Sequence, residues 1–320
     1  MEYRTLGRTG VSVSRLCFGT MSFGDTADET TSADMFHRCM DAGINFYDCA
    51  NVYAGGRSEE ILGDLIHDLR KELVITTKVC SQMGEGRNNR GMSRRHIMQQ
   101  IEGSLRRLQT DYIDVYFIHR FDPLTPIEEA VRALDDLVTQ GKILYPTVSN
   151  WAAWQIMKAV GIAEAEKLAR FECMQPMYNL VKRQAEVELL PMAKAENIGV
   201  IPYSPLGGGL LTGKYSTTNR PDVGRIVEND AYTKRYSQNR YYEIAEAFTA
   251  YASKEGVHPV TLAVAWAMAH PAVTAPIIGA RNLAHREPSL KAARINMSPE
   301  WRAEISALTD TPPPAHDRLE

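Results

Sequence analysis

The stretch at 93–119, "SRRHIMQQIEGSLRRLQTDYIDVYFIH", holds the fold in miniature. A helix-period segment opens on a serine, and after a short polar break an apolar run of strand length follows. The same kind of run comes earlier as "SRLCFGT" (14–20), "NFYDC" (45–49) and "LVITTKV" (73–79). It comes later as "ILYPTVS" (143–149), "FECMQPM" (171–177), "GVIPYSP" (199–205) and "VTAPIIGA" (273–280). Helix-period segments separate them. "SADMFHRCMDAG" closes on Gly43, "SEEILGDLIHDL" opens on Ser58 as an N-cap, and "PIEEAVRALDDLVTQG" and "EVELLPMAKAENIG" repeat the pattern. Strand then helix, eight times over, implies a parallel sheet with its helices outside. A doubly wound sheet would use about five or six strands, so the α/β rhythm predicts closure into a (β/α)8 TIM barrel.

Two stretches break the rhythm. "YRTLGRTGVSVS" (3–14) reads as a hairpin turning at Arg8-Thr9-Gly10 and covering the barrel floor. After the seventh strand, "STTNRPDVGRIVENDAYTKRYSQ" (216–238) reads as a mobile loop, with an extra helix around 240–255 and another at the C-terminus. With no low-complexity linker, the 320 residues predict one domain, 1–320.

Bulk composition excludes several classes. A hydrophobic fraction of 44%, a charged fraction of 23% and a net charge of −3 leave no footprint for nucleic acid or an anionic membrane. The N-terminus lacks an apolar signal core, and "LAVAWAMA" (262–269) is too short to span a bilayer. A cytoplasmic enzyme is expected. Cys17, Cys39, Cys49, Cys80 and Cys173 form no C-x-x-C and read as reduced thiols. No two histidines stand three or four apart, so no metal is expected.

In such a barrel the chemistry collects at the C-terminal ends of the strands. Asp48 ends the second strand, Tyr53 follows in its loop, Lys78 ends the third and His119 the fourth. The set makes chemical sense. A tyrosine, with a pKa of about 10, is a poor acid until an ammonium beside it favours the phenolate. Lys78 is expected to lower the pKa of Tyr53, with Asp48 keeping the lysine charged and aimed. His119 can fix a carbonyl oxygen or help deliver the proton. That is a general acid for an oxygen becoming an alkoxide, and it lacks a hydride donor.

"SPLGGGLLTGKY" (204–215) complements it. From Gly208 it reads G-x-x-x-x-G-K, but Tyr215 stands where a P-loop needs Ser or Thr for magnesium. Two glycine turns and a lysine still suggest a backbone shaped for phosphate.

Taken in order, "LGRTG", "FYDCANVY", "TTKV", "LRRLQTDYIDVYFIHRFDP", "VSNW", "MQPMYNL", "YSPLGGGLLTGKY" and "IIGARN" resemble the aldo-keto reductase superfamily nearly end to end. The resemblance implies a barrel that binds NADP(H) without a Rossmann fold. It also implies hydride transfer from nicotinamide C4 to a small-molecule aldehyde or ketone, with Tyr53 as acid. Ser149, Asn150 and Gln175 would hold the carboxamide, and Tyr203 would stack on the nicotinamide. Ser204, Leu206, Gly208 and Lys214 would clasp the pyrophosphate. Gly279 and Arg281 fall in the segment for the 2′-phosphate, where a guanidinium suits a dianion. His285 and Ser289 stand where the family usually has glutamine and asparagine beside the adenine, and Pro288 interrupts the helix expected there. Thr147 replaces a usual glycine. Met21, Phe23, Phe121 and Trp151 would wall an apolar substrate pocket.

Two rival readings have sequence support. "YNLVK" (178–182) matches the Y-x-x-x-K of short-chain dehydrogenases, but no glycine-rich Rossmann turn precedes it, and Tyr178 is read as cofactor rim. The second is a regulatory NADPH-binding subunit resembling potassium-channel β subunits, which share the four polar residues.

Overall fold

The structure, a computed structural model, describes residues 1–316. A hairpin of β1 (Tyr3–Thr5) and β2 (Ser12–Ser14) precedes the barrel, with Tyr3 opposite Ser14. The barrel strands are β3 (Cys17–Gly19), β4 (Phe46–Asp48), β5 (Val74–Val79) and β6 (Ile113–Ile118). They continue as β7 (Ile143–Ser149), β8 (Cys173–Gln175), β9 (Gly199–Val200) and β10 (Ile277–Ile278). All eight lie in one parallel sheet ordered β10-β3-β4-β5-β6-β7-β8-β9. Its edges meet where the Ile277 N–H donates to the Pro202 carbonyl at 2.8 Å and the Thr274 N–H to the Val200 carbonyl at 2.9 Å. The rhythm read from sequence is therefore a (β/α)8 barrel.

Alternation along each strand divides the core in two. On β6, Val115 and Phe117 point inward to a cluster with Phe46, Cys173 and Ile201, while Tyr116 and Ile118 face the helices. Leu6 of the hairpin turn belongs to that inner cluster and is fully buried, so the hairpin does cover the floor. Gly7 permits the approach: at φ +55° a Cβ there would meet the Glu172 carbonyl at 2.3 Å. Helix Pro259–Met268, "PVTLAVAWAM", is apolar all round because it is buried all round.

Three local expectations are corrected. Ser58 is not an N-cap: the helix starts at Arg57 after left-handed Gly56, and the Ser58 hydroxyl donates to the Thr20 carbonyl at 2.8 Å. A hydroxyl turned into the barrel side cannot cap its own helix. The polar stretch after β9 contains helices Arg225–Glu228 and Asp230–Arg235, the second capped by the Asn229 side chain. Buried Ile226 and the stacking of Tyr232 on Tyr236 supply an apolar seat that composition alone hides. Helix Leu283–Lys291 runs through Pro288. Asn282 caps its start, and Arg286 anchors it inward by donating to the Met35 carbonyl at 3.1 Å, which outweighs one lost backbone donor.

Candidate active site

Thr76 and Lys78, two apart on β5, point into the barrel together. The register sets Asp48 beside Thr76 on the neighbouring strand. The Asp48 carboxylate accepts from Lys78 Nζ at 2.6 Å, the Thr76 hydroxyl at 2.7 Å and Gln175 Nε2 at 2.8 Å. Lys78 also donates to the Cys49 carbonyl at 2.7 Å, and its Nζ lies 5.2 Å from the centre of the Tyr53 ring. The Tyr53 ring meets the His119 ring edge-on, with centroids 6.0 Å apart. The four polar residues of the sequence reading are thus brought together. Thr76 was missed, although its place two residues before Lys78 was a usable signal.

Electrostatics revise one expectation. Burial pushes the Tyr53 phenol up to about 12, and the nearby Lys78 ammonium only partly opposes it. The anticipated lowering loses to desolvation, because a phenolate at this depth has little water to solvate it. Burial also works against the Lys78 charge, but Asp48 and Tyr53 outweigh it and its pKa is raised. His119 goes the other way. Burial, with Lys78 and Arg120 nearby, lowers it to about 3, so it is a neutral imidazole at pH 7. Its Nδ1 is buried without a partner.

Beside these residues, Ser149, Asn150, Gln175 and Tyr203 form one network. Ser149 Oγ donates to the Gln175 carbonyl at 2.8 Å, and left-handed Asn150 (φ +59°) donates to Ser149 Oγ and the His119 carbonyl, each at 2.9 Å. The Tyr203 hydroxyl donates to Asn150 Oδ1 at 2.7 Å. Thr147, buried on β7, donates through its hydroxyl to the Cys173 carbonyl and ties β7 to β8.

The glycine turn follows β9. Ser204 (φ +60°) accepts at Oγ from the Gly208 N–H at 3.1 Å, and Gly207, Gly208 and Gly209 are all left-handed. A Cβ at Gly208 would stand 2.8 Å from the Tyr232 ring. Half-buried Leu206 flanks the turn, exposed Lys214 follows it, and a cleft of about 310 Å³ opens beside Lys214, Tyr215 and Ser216. Exposed Gly279 follows β10, and Arg281 reaches back to the Glu228 carboxylate at 2.6 Å. That contact tests the site for a phosphorylated dinucleotide. Arg281 already holds an anionic group, on a glycine-lined backbone with a lysine near, so the donor set fits one.

Other predicted positions separate. His285 is exposed, whereas Ser289 is buried with its hydroxyl unpartnered and is not presented to the groove. Phe23 is wholly buried against Phe18, at 6.0 Å, and leaves the pocket wall for the core. Met21 stays exposed, and Phe121 packs edge-on against buried Trp151 at 5.1 Å. A second cleft, about 220 Å³, borders Asn150 and Trp151 and reaches Lys182. Tyr178 is not at the rim: it is buried, stacked on Trp266 at 5.0 Å, and accepts from Arg302 at 2.6 Å. Lys182 donates instead to the Tyr241 hydroxyl at 2.6 Å, so the Y-x-x-x-K pair is not a pair.

The five cysteines are unpaired and buried, and among the described residues no helix is long and apolar enough to cross a membrane.

Comparison with known proteins extends the same picture. The Aldo/keto reductase family model matches residues 15–310. A protein of Oryza sativa subsp. japonica named probable voltage-gated potassium channel subunit beta is 37% identical over 322 residues, covering 98% of each chain. The uncharacterized oxidoreductase YrpG of Bacillus subtilis (strain 168) is 38% identical over 311 residues, covering 94% of this chain and 93% of its own. An Arabidopsis thaliana protein, also named probable voltage-gated potassium channel subunit beta, is 37% identical over 304 residues and 92% of each chain. The family match runs from the start of the barrel to beyond its last helix, and these relatives align along nearly their whole length. The chain belongs to the aldo/keto reductase family.

Proposed function

We propose that this protein is an oxidoreductase that reduces an aldehyde or ketone to the alcohol with NADPH, using Tyr53 as the general acid. The observation that carries the reading is the buried Lys78 ammonium, held by Asp48 at 2.6 Å and the Cys49 carbonyl at 2.7 Å with its Nζ 5.2 Å from the centre of the Tyr53 ring. Bound NADPH supplies the hydride. Tyr53 supplies the proton: with its pKa near 12 the phenol stays protonated at any working pH, and the adjacent ammonium stabilises the phenolate left behind. Asp48, held by Thr76 and Gln175, keeps that ammonium aimed. Neutral His119 orients the carbonyl oxygen by hydrogen bonding and does not act as the proton source.

Ser149, Asn150 and Gln175 would hold the carboxamide, and Tyr203 would lie against the nicotinamide ring. The turn from Ser204 to Gly208, with Leu206 and Lys214, would take the pyrophosphate, and Arg281 the 2′-phosphate. Phe121, Trp151 and Met21 offer the carbonyl substrate an apolar wall.

A second reading has support from the two plant relatives named as channel subunits: an NADPH-binding regulatory subunit. NADPH consumption, screened over aldehydes, ketones, sugars and quinones, separates the two. Turnover by wild type, reduced about 10²-fold or more in Tyr53→Phe with NADPH affinity retained, supports the enzyme. Full turnover in Tyr53→Phe removes the acid assignment, and tight NADPH binding without turnover on any substrate favours the regulatory subunit.

A further inference from the structure

Helices Arg225–Glu228 and Asp230–Arg235 lie against the glycine turn, with Ile226 buried and the Tyr232 ring against Gly208. Glu228 ends the first of them. Its Oε2 accepts from Arg281 Nη2 at 2.6 Å and its Oε1 from the Gly224 N–H at 3.1 Å. Gly224 itself rests on Lys214 and Tyr215: a Cβ there would stand 2.8 Å from the Tyr215 hydroxyl and 3.6 Å from Lys214 Nζ. One carboxylate therefore faces two cations, Arg281 from beyond β10 and Lys214 from beyond β9. Both hold its pKa below the ordinary carboxylate value, the Arg281 hydrogen bond most strongly. The side chains are 41% and 31% exposed for Glu228 and Arg281, so the pair is open to exchange with a ligand anion.

We infer that Glu228 sets cofactor specificity by competing with the 2′-phosphate of NADPH for the Arg281 guanidinium. The inference rests on the reading that Arg281 faces that phosphate. The carboxylate occupies Arg281 Nη2 and keeps its negative charge at the guanidinium, so the incoming dianion either displaces it or binds beside it against its charge. NADH, with a ribose hydroxyl there, has no need to open the pair. Glu228 thus narrows the preference that Arg281 creates. It also gives the segment 224–228 an alternative anchor when no phosphate is bound.

Glu228→Gln keeps the side-chain size and an acceptor for the Gly224 N–H but removes the charge. Fluorescence titration with NADPH and with NADH, on wild type, Glu228→Gln, Arg281→Ala and the double variant, tests the proposal. A partly exposed ion pair is a modest competitor, so the expected result is NADPH binding about 2- to 5-fold tighter in Glu228→Gln, with NADH unchanged. The gain should vanish in the Arg281→Ala background. If Arg281→Ala weakens NADPH alone while Glu228→Gln changes nothing, the competition is overturned and the Arg281 reading stands. Weaker NADH binding in Glu228→Gln also overturns it, since the carboxylate would then be serving the ribose. If Arg281→Ala weakens both cofactors alike, the reading of Arg281 fails and this inference goes with it.

Discussion

Lys78 and Asp48 form an ion pair closed to solvent, Nζ to Oδ2 at 2.6 Å, with side chains 0% and 3% exposed. Water cannot replace either partner there. Lys78→Met should therefore leave a buried carboxylate that keeps only the Thr76 and Gln175 donors, at a cost of about 3–5 kcal/mol. Adding Asp48→Asn should recover a large part of it, because a neutral amide is far less costly to bury unpaired. Urea unfolding of wild type and the two variants is the measurement. A wild-type midpoint for Lys78→Met would show that the pair is not coupled to folding.

The two phosphate-side cations should behave differently. Arg281→Ala should weaken NADPH by about 1.5–3 kcal/mol, roughly 10- to 150-fold, and leave NADH nearly unchanged. Lys214 lies beside the turn proposed to hold the pyrophosphate that both cofactors carry, so Lys214→Ala should weaken both about equally. Equal wild-type affinity for the two cofactors would withdraw the NADP(H) preference.

Gly208 combines a left-handed backbone, φ +69°, with the Tyr232 ring 2.8 Å from where a Cβ would go. Gly208→Ala should cost about 1–2 kcal/mol from the backbone alone, plus displacement of the ring. Tyr232→Ala in the same chain should relieve the clash but not the backbone strain. Thermal unfolding of single and double variants distinguishes them, and full recovery in the double variant would show that the φ angle carries no cost.

His270 gives a pH dependence of stability. Burial, with the Arg302 cation near, lowers its pKa from 6.5 to about 4, and its Nδ1 accepts from the Ala272 N–H at 3.2 Å, which only a deprotonated nitrogen can do. Between about pH 4 and pH 6.5 the unfolded chain binds this proton and the native chain does not. Stability contributed here is complete above pH 6.5 and is lost as the pH falls toward about 4. His270→Gln should show a smaller drop in urea midpoint from pH 7 to pH 5 than wild type. An identical drop would place the acid sensitivity elsewhere.

The barrel was legible because its evidence is local. Each apolar run of strand length, bounded by turn residues and followed by a helix-period segment, states its own secondary structure, and eight in series leave few topologies. The same logic placed Asp48, Lys78 and His119, since a polar residue ending a buried parallel strand has the barrel mouth as its exit.

The sequence by itself therefore determined the architecture, the hairpin floor and the strand ends that carry polar residues. Tertiary structure alone decided which neighbours those residues meet. Phe23 in the core and Phe121 at the rim are indistinguishable as letters, and only packing against Phe18 or Trp151 separates them. Thr147 looked like an unexplained replacement until β8 brought the Cys173 carbonyl to its hydroxyl. The acidity of Tyr53 followed the same rule: its sign depends on how far burial exceeds the field of Lys78, a balance of depths and distances that no spacing encodes. Glu228 meets Arg281 across 53 residues of chain, in a stretch whose composition reads as loop. Periodicity is a property of neighbours in sequence, whereas desolvation and ion pairing are properties of neighbours in space.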